Sequence, residues 1–153
     1  MNNVYLYKTS IGNVVIGENG SGITRICFGD SIPKDAEFIE TPLLKKANEE
    51  LQEYFVGKRK VFDLPLAMEG TEFQKMVWKA LSEIPYGTTC SYKDIALKVG
   101  NAKASRAVGM ANNKNPIPII VPCHRVIGTN GKLVGYAGGL DIKQKLLEIE
   151  KVK

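Results

Sequence analysis

Ser91-Tyr92-Lys93-Asp94-Ile95-Ala96-Leu97-Lys98-Val99-Gly100 and, after a tight turn, Ala104-Ser105-Arg106-Ala107-Val108-Gly109-Met110-Ala111-Asn112-Asn113 decide how the C-terminal half of this chain is built. Ser91 and Asp94 stand in capping-box spacing, so a helix is predicted from Tyr92 to Val99, with Gly100 stopping it. The second run predicts another short helix. Residues 91–114 carry Lys93, Lys98, Lys103, Arg106 and Lys114 against Asp94 alone. Two readings fit. One is a helix-turn-helix turned toward a polyanion. The other is a pair of helices packed tightly through Ala104, Ser105, Ala107, Gly109 and Ala111, a low-profile surface from which Arg106 is the one long arm.

Working outward, Thr71–Ser82 carries Phe73, Met76, Val77, Ala80 and Leu81 at helical spacing, and Trp78, the only tryptophan, reads as core. Ile84-Pro85-Tyr86-Gly87 reads as a turn. Downstream, Ile119-Ile120-Val121 reads as an apolar strand entering Pro122-Cys123-His124-Arg125-Val126. A last helix, opened by Asp141 with Gln144 as its capping partner, ends in Leu146-Leu147-Glu148-Ile149-Glu150. Upstream, Val4–Tyr7, Val14–Gly17 and Ile23–Phe28, separated by turn residues such as Asn19-Gly20-Ser21-Gly22, predict a three-stranded antiparallel meander. Gly29–Glu40 reads as a loop. Thr41-Pro42 opens a helix whose Leu44, Ala47, Leu51, Tyr54 and Phe55 form its inner face and which Gly57 closes. Cys27 reads as a small buried hydrophobe.

The 153 residues are 44% hydrophobic and 24% charged, values that exclude disorder and membrane classes. No apolar run reaches a bilayer span, and Met1–Tyr5 shows neither a basic nor an apolar leader, so a cytoplasmic location is expected. Three cysteines (Cys27, Cys90, Cys123) and one histidine are too few and too scattered for a disulfide framework or a zinc site. Residues 1–70 hold 8 Lys/Arg against 10 Asp/Glu, whereas residues 71–153 hold 13 against 6. The positive charge therefore sits in the second half, where an anionic partner such as nucleic acid would be met.

The sole histidine is next to Cys123. A free thiol is only a few per cent ionised at neutral pH, and a neighbouring histidine can lower its pKa by units, so Cys123 is expected to be held ionised beside His124. Neighbours on a regular strand face opposite ways, so the two side chains can cooperate only across an irregular turn, which Pro122 favours, or through a water.

The run Ile119–Gly128 with Gly135-Tyr136-Ala137-Gly138-Gly139-Leu140 and the closing helix resembles the O6-methylguanine-DNA methyltransferase family. So do Ser105–Gly109 with Asn115-Pro116, Phe73-Gln74 with Val77-Trp78, and Pro85 and Gly87 with Ser91-Tyr92. The resemblance spans essentially the whole chain and is strongest after residue 70.

It implies an α/β protein of two lobes. Residues 1–68 would form the three-stranded sheet with its helix, ribonuclease H-like. Residues 69–153 would form a helical lobe with the helix-turn-helix, winged-helix-like. It implies direct, irreversible, one-for-one transfer of an alkyl group from O6-alkylguanine, and O4-alkylthymine, in DNA to Cys123. His124 would act as base through a water, Glu150 would orient His124, Tyr92 would donate a proton to the departing ring, and Asn115 would brace the Cys-His turn. Main-chain groups of Cys123 and Val126, with a loop carrying Tyr136, Ala137 and Gly138, would receive the flipped base. Arg106 would fill the space the base leaves, on a helix whose Ala107 and Gly109 let it lie in the minor groove. Lys93, Asn101 and Thr129 would contact flanking DNA. No cofactor is implied, and the structural zinc of some members cannot be carried over, its ligands being absent. A monomer on double-stranded DNA is expected. A non-catalytic lesion binder would have dispensed with the cysteine; an alkylation-sensing regulator would need a further domain; a thiol protease would need a peptide groove.

Overall fold

A computed structural model describes residues 2–128, 131, 136 and 138–151. The chain divides into two compact units, Met1–Glu69 and Gly70–Lys153.

The first unit is a sheet with one helix on its face. Strands β1 (Asn3–Thr9), β2 (Gly12–Glu18) and β3 (Ile23–Phe28) form the antiparallel meander, with Tyr7 opposite Val14 and Ile16 opposite Ile26. Within the stretch read as a loop, a two-residue strand β4 (Glu37–Phe38) adds parallel to β1, giving the order β3-β2-β1-β4. A pattern this short carries no periodicity; only its backbone hydrogen bonds reveal it. Helix α1 (Pro42–Phe55) begins where Thr41 accepts the Leu44 N–H. Its Leu44, Ala47, Leu51 and Tyr54 are fully buried, as are Val14, Val15 and Ile16 of the central strand. This burial of apolar side chains supplies the unit's stability. Gly22 lets the chain after α1 return against β3, because a β-carbon there would lie 2.8 Å from the Pro65 carbonyl oxygen. Cys27 is half-buried, not buried, at the end of β3.

The second unit is helical: α2 (Glu72–Ser82), α3 (Tyr92–Lys98), α4 (Ser105–Asn113) and α5 (Leu140–Ile149). Thr71 and Gln74 cap α2 reciprocally, and Ser91 and Asp94 do the same for α3, satisfying backbone donors that would otherwise be orphaned. The inner face of α2 is rotated from the expected one. Val77, Trp78, Ala80 and Leu81 are buried, Phe73 is half-buried and Met76 is exposed. Trp78 decides the rotation: its indole N–H donates to the Ala111 carbonyl at 2.9 Å, clamping α2 onto α4. Strand β5 (Cys90–Ser91) pairs in parallel with β6 (Val126–Ile127), Cys90 opposite Val126, and so draws the start of α3 beside the Cys-His segment.

Two further expectations fail. Ile119–Val121 is no strand: Ile119 has φ 75°, and the segment is a tight turn closed by a Pro118–Val121 bridge and a Val121-to-Ile117 hydrogen bond. A β-branched residue in the left-handed region is costly, roughly 1–3 kcal/mol, and persists only where its surroundings hold it. At α5, Gly139 (φ 93°) is the cap without a side-chain bond, Asp141 lies inside the first turn, and Gln144 donates to Glu148 four residues on. Glycine reaches that φ freely, so no polar cap is needed to start the helix.

Candidate active site

Cys123, His124 and Arg125 form one turn of 3-10 helix, introduced by Pro122. This is the irregular geometry that adjacency required. All three are buried, with Cys123 4% exposed and His124 fully enclosed. Asn115 secures the turn from within. Its Oδ1 accepts the Ile117 N–H at 3.0 Å and its Nδ2 donates to the Val121 carbonyl at 2.8 Å, spanning the strained Ile119.

The His124 ring lies 2.6 Å, Nε2 to Oε2, from Glu150 at the C-terminal end of α5. Glu150 is buried too, not a solvated charge beside Glu148. It also accepts from Arg125, Nε at 2.8 Å and Nη2 at 3.1 Å, and from the Gly87 backbone N–H at 3.1 Å. Gly87, at φ 80°, has its α-carbon where a side chain would crowd the Glu150 carbonyl oxygen at 3.4 Å. The Arg125 and Gly87 donors leave Oε2 of Glu150 as an acceptor for the ring. The imidazole accordingly donates from Nε2, and its lone pair resides on Nδ1.

The resting charges differ from the ion pair that adjacency suggested. Burial pushes the Cys123 thiol up to about 11, only partly offset by the Asn115 hydrogen bond and the positive charge of Lys143. Burial likewise lowers His124 below its ordinary range, against the opposing pull of Glu150. At neutral pH the pair is therefore thiol and neutral imidazole. The cause is desolvation, which penalises both charged forms. An enclosed thiol beside a neutral, oriented base can lose its proton as it attacks, and needs no standing thiolate.

Tyr92 begins α3 and is half-buried, its ring at ordinary contact distance from where a β-carbon on Gly109 would sit. Burial and the nearby Cys123 sulfur raise its phenol, keeping it protonated. Val126 follows the turn, buried, while Tyr136 and Gly138 are half-buried. Arg106, Ala107, Lys93 and Asn101 are exposed, and Gly109 is half-buried. Thr129 and Ala137 lie outside the described residues, as does Gly135.

Two residues escaped the sequence reading. Arg125 was present in the quoted run but given no role. Lys143 is fully buried, with its amine donating to the Val126 carbonyl at 2.6 Å and depressed to about 8 by burial. The helical period could have exposed it: Lys143, Leu146, Leu147 and Glu150 are at i, i+3, i+4 and i+7, one stripe of α5. That stripe is the buried face.

Residues 72–152 match the family described as 6-O-methylguanine DNA methyltransferase, DNA binding domain, and residues 4–68 match its ribonuclease-like domain. The methylated-DNA–protein-cysteine methyltransferase of Methanosarcina acetivorans is 51% identical, over 95% of this chain and 96% of its own. The constitutive one of Bacillus subtilis is 48% identical, over 99% and 97%. Among solved structures, Mycobacterium tuberculosis OGT in complex with DNA superposes with a TM-score of 0.91 at 44% identity, covering 97% of this chain and 92% of that one.

Proposed function

Because this chain belongs to the 6-O-methylguanine DNA methyltransferase family, we infer that its alkyl acceptor is Cys123 and that its substrate is double-stranded DNA bearing O6-alkylguanine. The reaction is that of a methylated-DNA–protein-cysteine methyltransferase, in which the alkyl group leaves DNA for a cysteine of the protein. The observation that carries the assignment of Cys123 is the buried relay beside it, with the chain's only imidazole held 2.6 Å from the Glu150 carboxylate, itself fixed by Arg125 and the Gly87 N–H.

In this reading Cys123 attacks the alkyl carbon while its proton passes, through a water, to Nδ1 of His124. The carbon–oxygen bond breaks and its electron pair stays with guanine. Tyr92 protonates the departing ring, and the proton on His124 then returns to the phenolate, so the net exchange is alkyl for hydrogen. Glu150 stabilises the transient imidazolium and Asn115 holds the turn. The product thioether is stable and is not opened by thiol exchange, so each molecule reacts once. The same pocket would take O4-alkylthymine.

The base must leave the stack to reach an enclosed sulfur. Arg106, exposed on α4 with Ala107 and Gly109 beside it, would occupy the gap from the minor groove. Lys93, Asn101 and Thr129 would grip flanking backbone, and Val126, Tyr136, Ala137 and Gly138 would line the base pocket. All these groups belong to one unit of one chain, which suits a monomer. Three unpaired thiols suit the reducing cytoplasm. Among the described residues no helix is long and apolar enough to cross a membrane. A non-catalytic lesion binder has no use for the relay.

Incubation with a duplex carrying one O6-methylguanine, followed by intact-protein mass and peptide mapping, tests this. One methyl on Cys123, and none on the Cys123→Ala protein, is expected. A repaired duplex with Cys123 unmodified refutes it.

A further inference from the structure

We propose that Arg125 is a positioning residue for the transfer, clamping Glu150 so that one carboxylate oxygen serves His124 and the imidazole stays neutral until the thiol gives up its proton. The inference rests on the reading of His124 as the base for Cys123. It rests equally on an arrangement which that reading does not require.

Arg125 uses its whole guanidinium. Nε meets Oε1 of Glu150 at 2.8 Å, Nη2 meets Oε2 at 3.1 Å, and Nη1 donates to the Ile84 carbonyl at 2.6 Å. Its carbon centre lies 5.7 Å from the centroid of the Tyr86 ring, and Tyr86 is tied to the Ile149 carbonyl beside Glu150. A fork of this kind fixes both the plane and the position of a carboxylate, which lysine cannot do. Unclamped, a carboxylate can rotate about its terminal bond and present either oxygen, or the gap between them, to the ring. With both oxygens engaged by the fork and Oε1 also taken by the Gly87 N–H, the bond to His124 runs to Oε2.

The second effect is charge. Around the ring stand Cys123 and Arg125 on the turn, Lys143 and Glu150 on α5 or its cap, and Tyr86 beyond Arg125; Tyr92 of α3 faces the sulfur. Only Glu150 favours the imidazolium, whereas Arg125 and Lys143 oppose it, alongside the burial that dominates. The partner carboxylate raises the ring's proton affinity, and the guanidinium offsets part of that rise, acting in the same direction as burial. The guanidinium neutralises that carboxylate, leaving it able to orient the ring and to stabilise the imidazolium when it forms.

Removing the guanidinium charge thus raises the ring's proton affinity, and the acidic limb of the rate profile must move to higher pH. The test follows the single-turnover rate on an O6-methylguanine duplex against pH, for the wild type, Arg125→Met and Arg125→Lys. Nitrogen-15 spectra of the imidazole are recorded alongside; the chain has one histidine, so the signals need no assignment. In Arg125→Met the limb and the ring titration should rise together by about one unit. In Arg125→Lys the limb should stay near the wild-type position while the plateau rate falls by about tenfold, since charge is kept and the fork is lost. Should Arg125→Met not fold, Arg125→Lys decides alone: a plateau equal to wild type overturns the clamp. A folded Arg125→Met whose limb and ring titration match wild type overturns the charge role, even if its melting temperature drops. Either result leaves methylation of Cys123 by the wild type standing. A wild type that never methylates Cys123 overturns the parent reading instead.

Discussion

Replacing Asn115 with alanine removes both ends of the brace that spans the turn before Cys123. The Val121 carbonyl loses its donor at 2.8 Å and the Ile117 N–H loses its acceptor at 3.0 Å, both in a buried setting where water cannot substitute. A buried backbone group left unsatisfied costs about 1–3 kcal/mol, so the pair costs about 2–6 kcal/mol. The Ile119 backbone, already held at φ 75°, loses the bonds that straddle it, which places the outcome in the upper part of that range. For a cooperative unit of this size each kcal/mol lowers the midpoint by about 4–8 °C, so the second unit should melt at least ~10 °C lower. The chemistry should suffer independently. The Asn115 side chain is the largest influence holding the Cys123 thiol down against burial, so its loss should raise that thiol further and slow transfer at neutral pH. Calorimetry gives the first quantity and single-turnover alkyl transfer, measured well below the lowered midpoint, the second. Asn115→Asp keeps the acceptor for Ile117 but sets a second oxygen against the Val121 carbonyl and a buried charge beside the sulfur, so this variant should be no more stable than alanine and slower still. A melting temperature for Asn115→Ala within about 2 °C of wild type would refute the brace.

Three further outcomes follow from the same geometry. Arg106→Ala should slow repair of the duplex lesion by about tenfold or more while free alkylguanine reacts nearly as before; equal losses on both would remove the base-extrusion role. For Lys143, the native amine titrates near 8 against an ordinary 10.5, so below pH 8 both states are charged and the cost of burial is in full force. Between those values the unfolded chain binds more protons, and stability rises with pH. Cys123 works oppositely from 9 to about 11, so the rise is cleanest between pH 8 and 9. Chemical denaturation should show that rise in wild type and its loss in Lys143→Met; an identical slope in both would contradict the buried charge. Finally, Trp78→Phe should destabilise the second unit by about 2 kcal/mol through the lost bond to Ala111 and the lost ring volume, readable as a shifted denaturation midpoint.

Much of this protein is written locally. The strand alternation of Val4–Tyr7 and Val14–Gly17, the Thr41-Pro42 opening of α1 and the Ser91–Asp94 box are short-range preferences, and the matching elements sit where those preferences put them. The adjacency of Cys123 and the only histidine, flanked by Pro122, is likewise visible in the chain. The inner face of α2 is not fixed by periodicity, because Phe73 and Met76 fall on the same stripe as Val77, Ala80 and Leu81; an indole hydrogen bond from Trp78 to a carbonyl on another helix settles the rotation. Ile119–Val121 has strand composition, yet the brace from Asn115 forces a turn that no propensity favours.

The sequence by itself determined the class of fold, the basic second half and the adjacency of Cys123 to the only histidine. Only the tertiary structure decided the charge state of that pair, because desolvation depends on how completely distant segments enclose a group. It alone brought Glu150 onto the ring from 26 residues away and filled the surrounding space with Arg125 and Lys143. Burial and long-range pairing are properties of chain closure, and a linear pattern does not contain them.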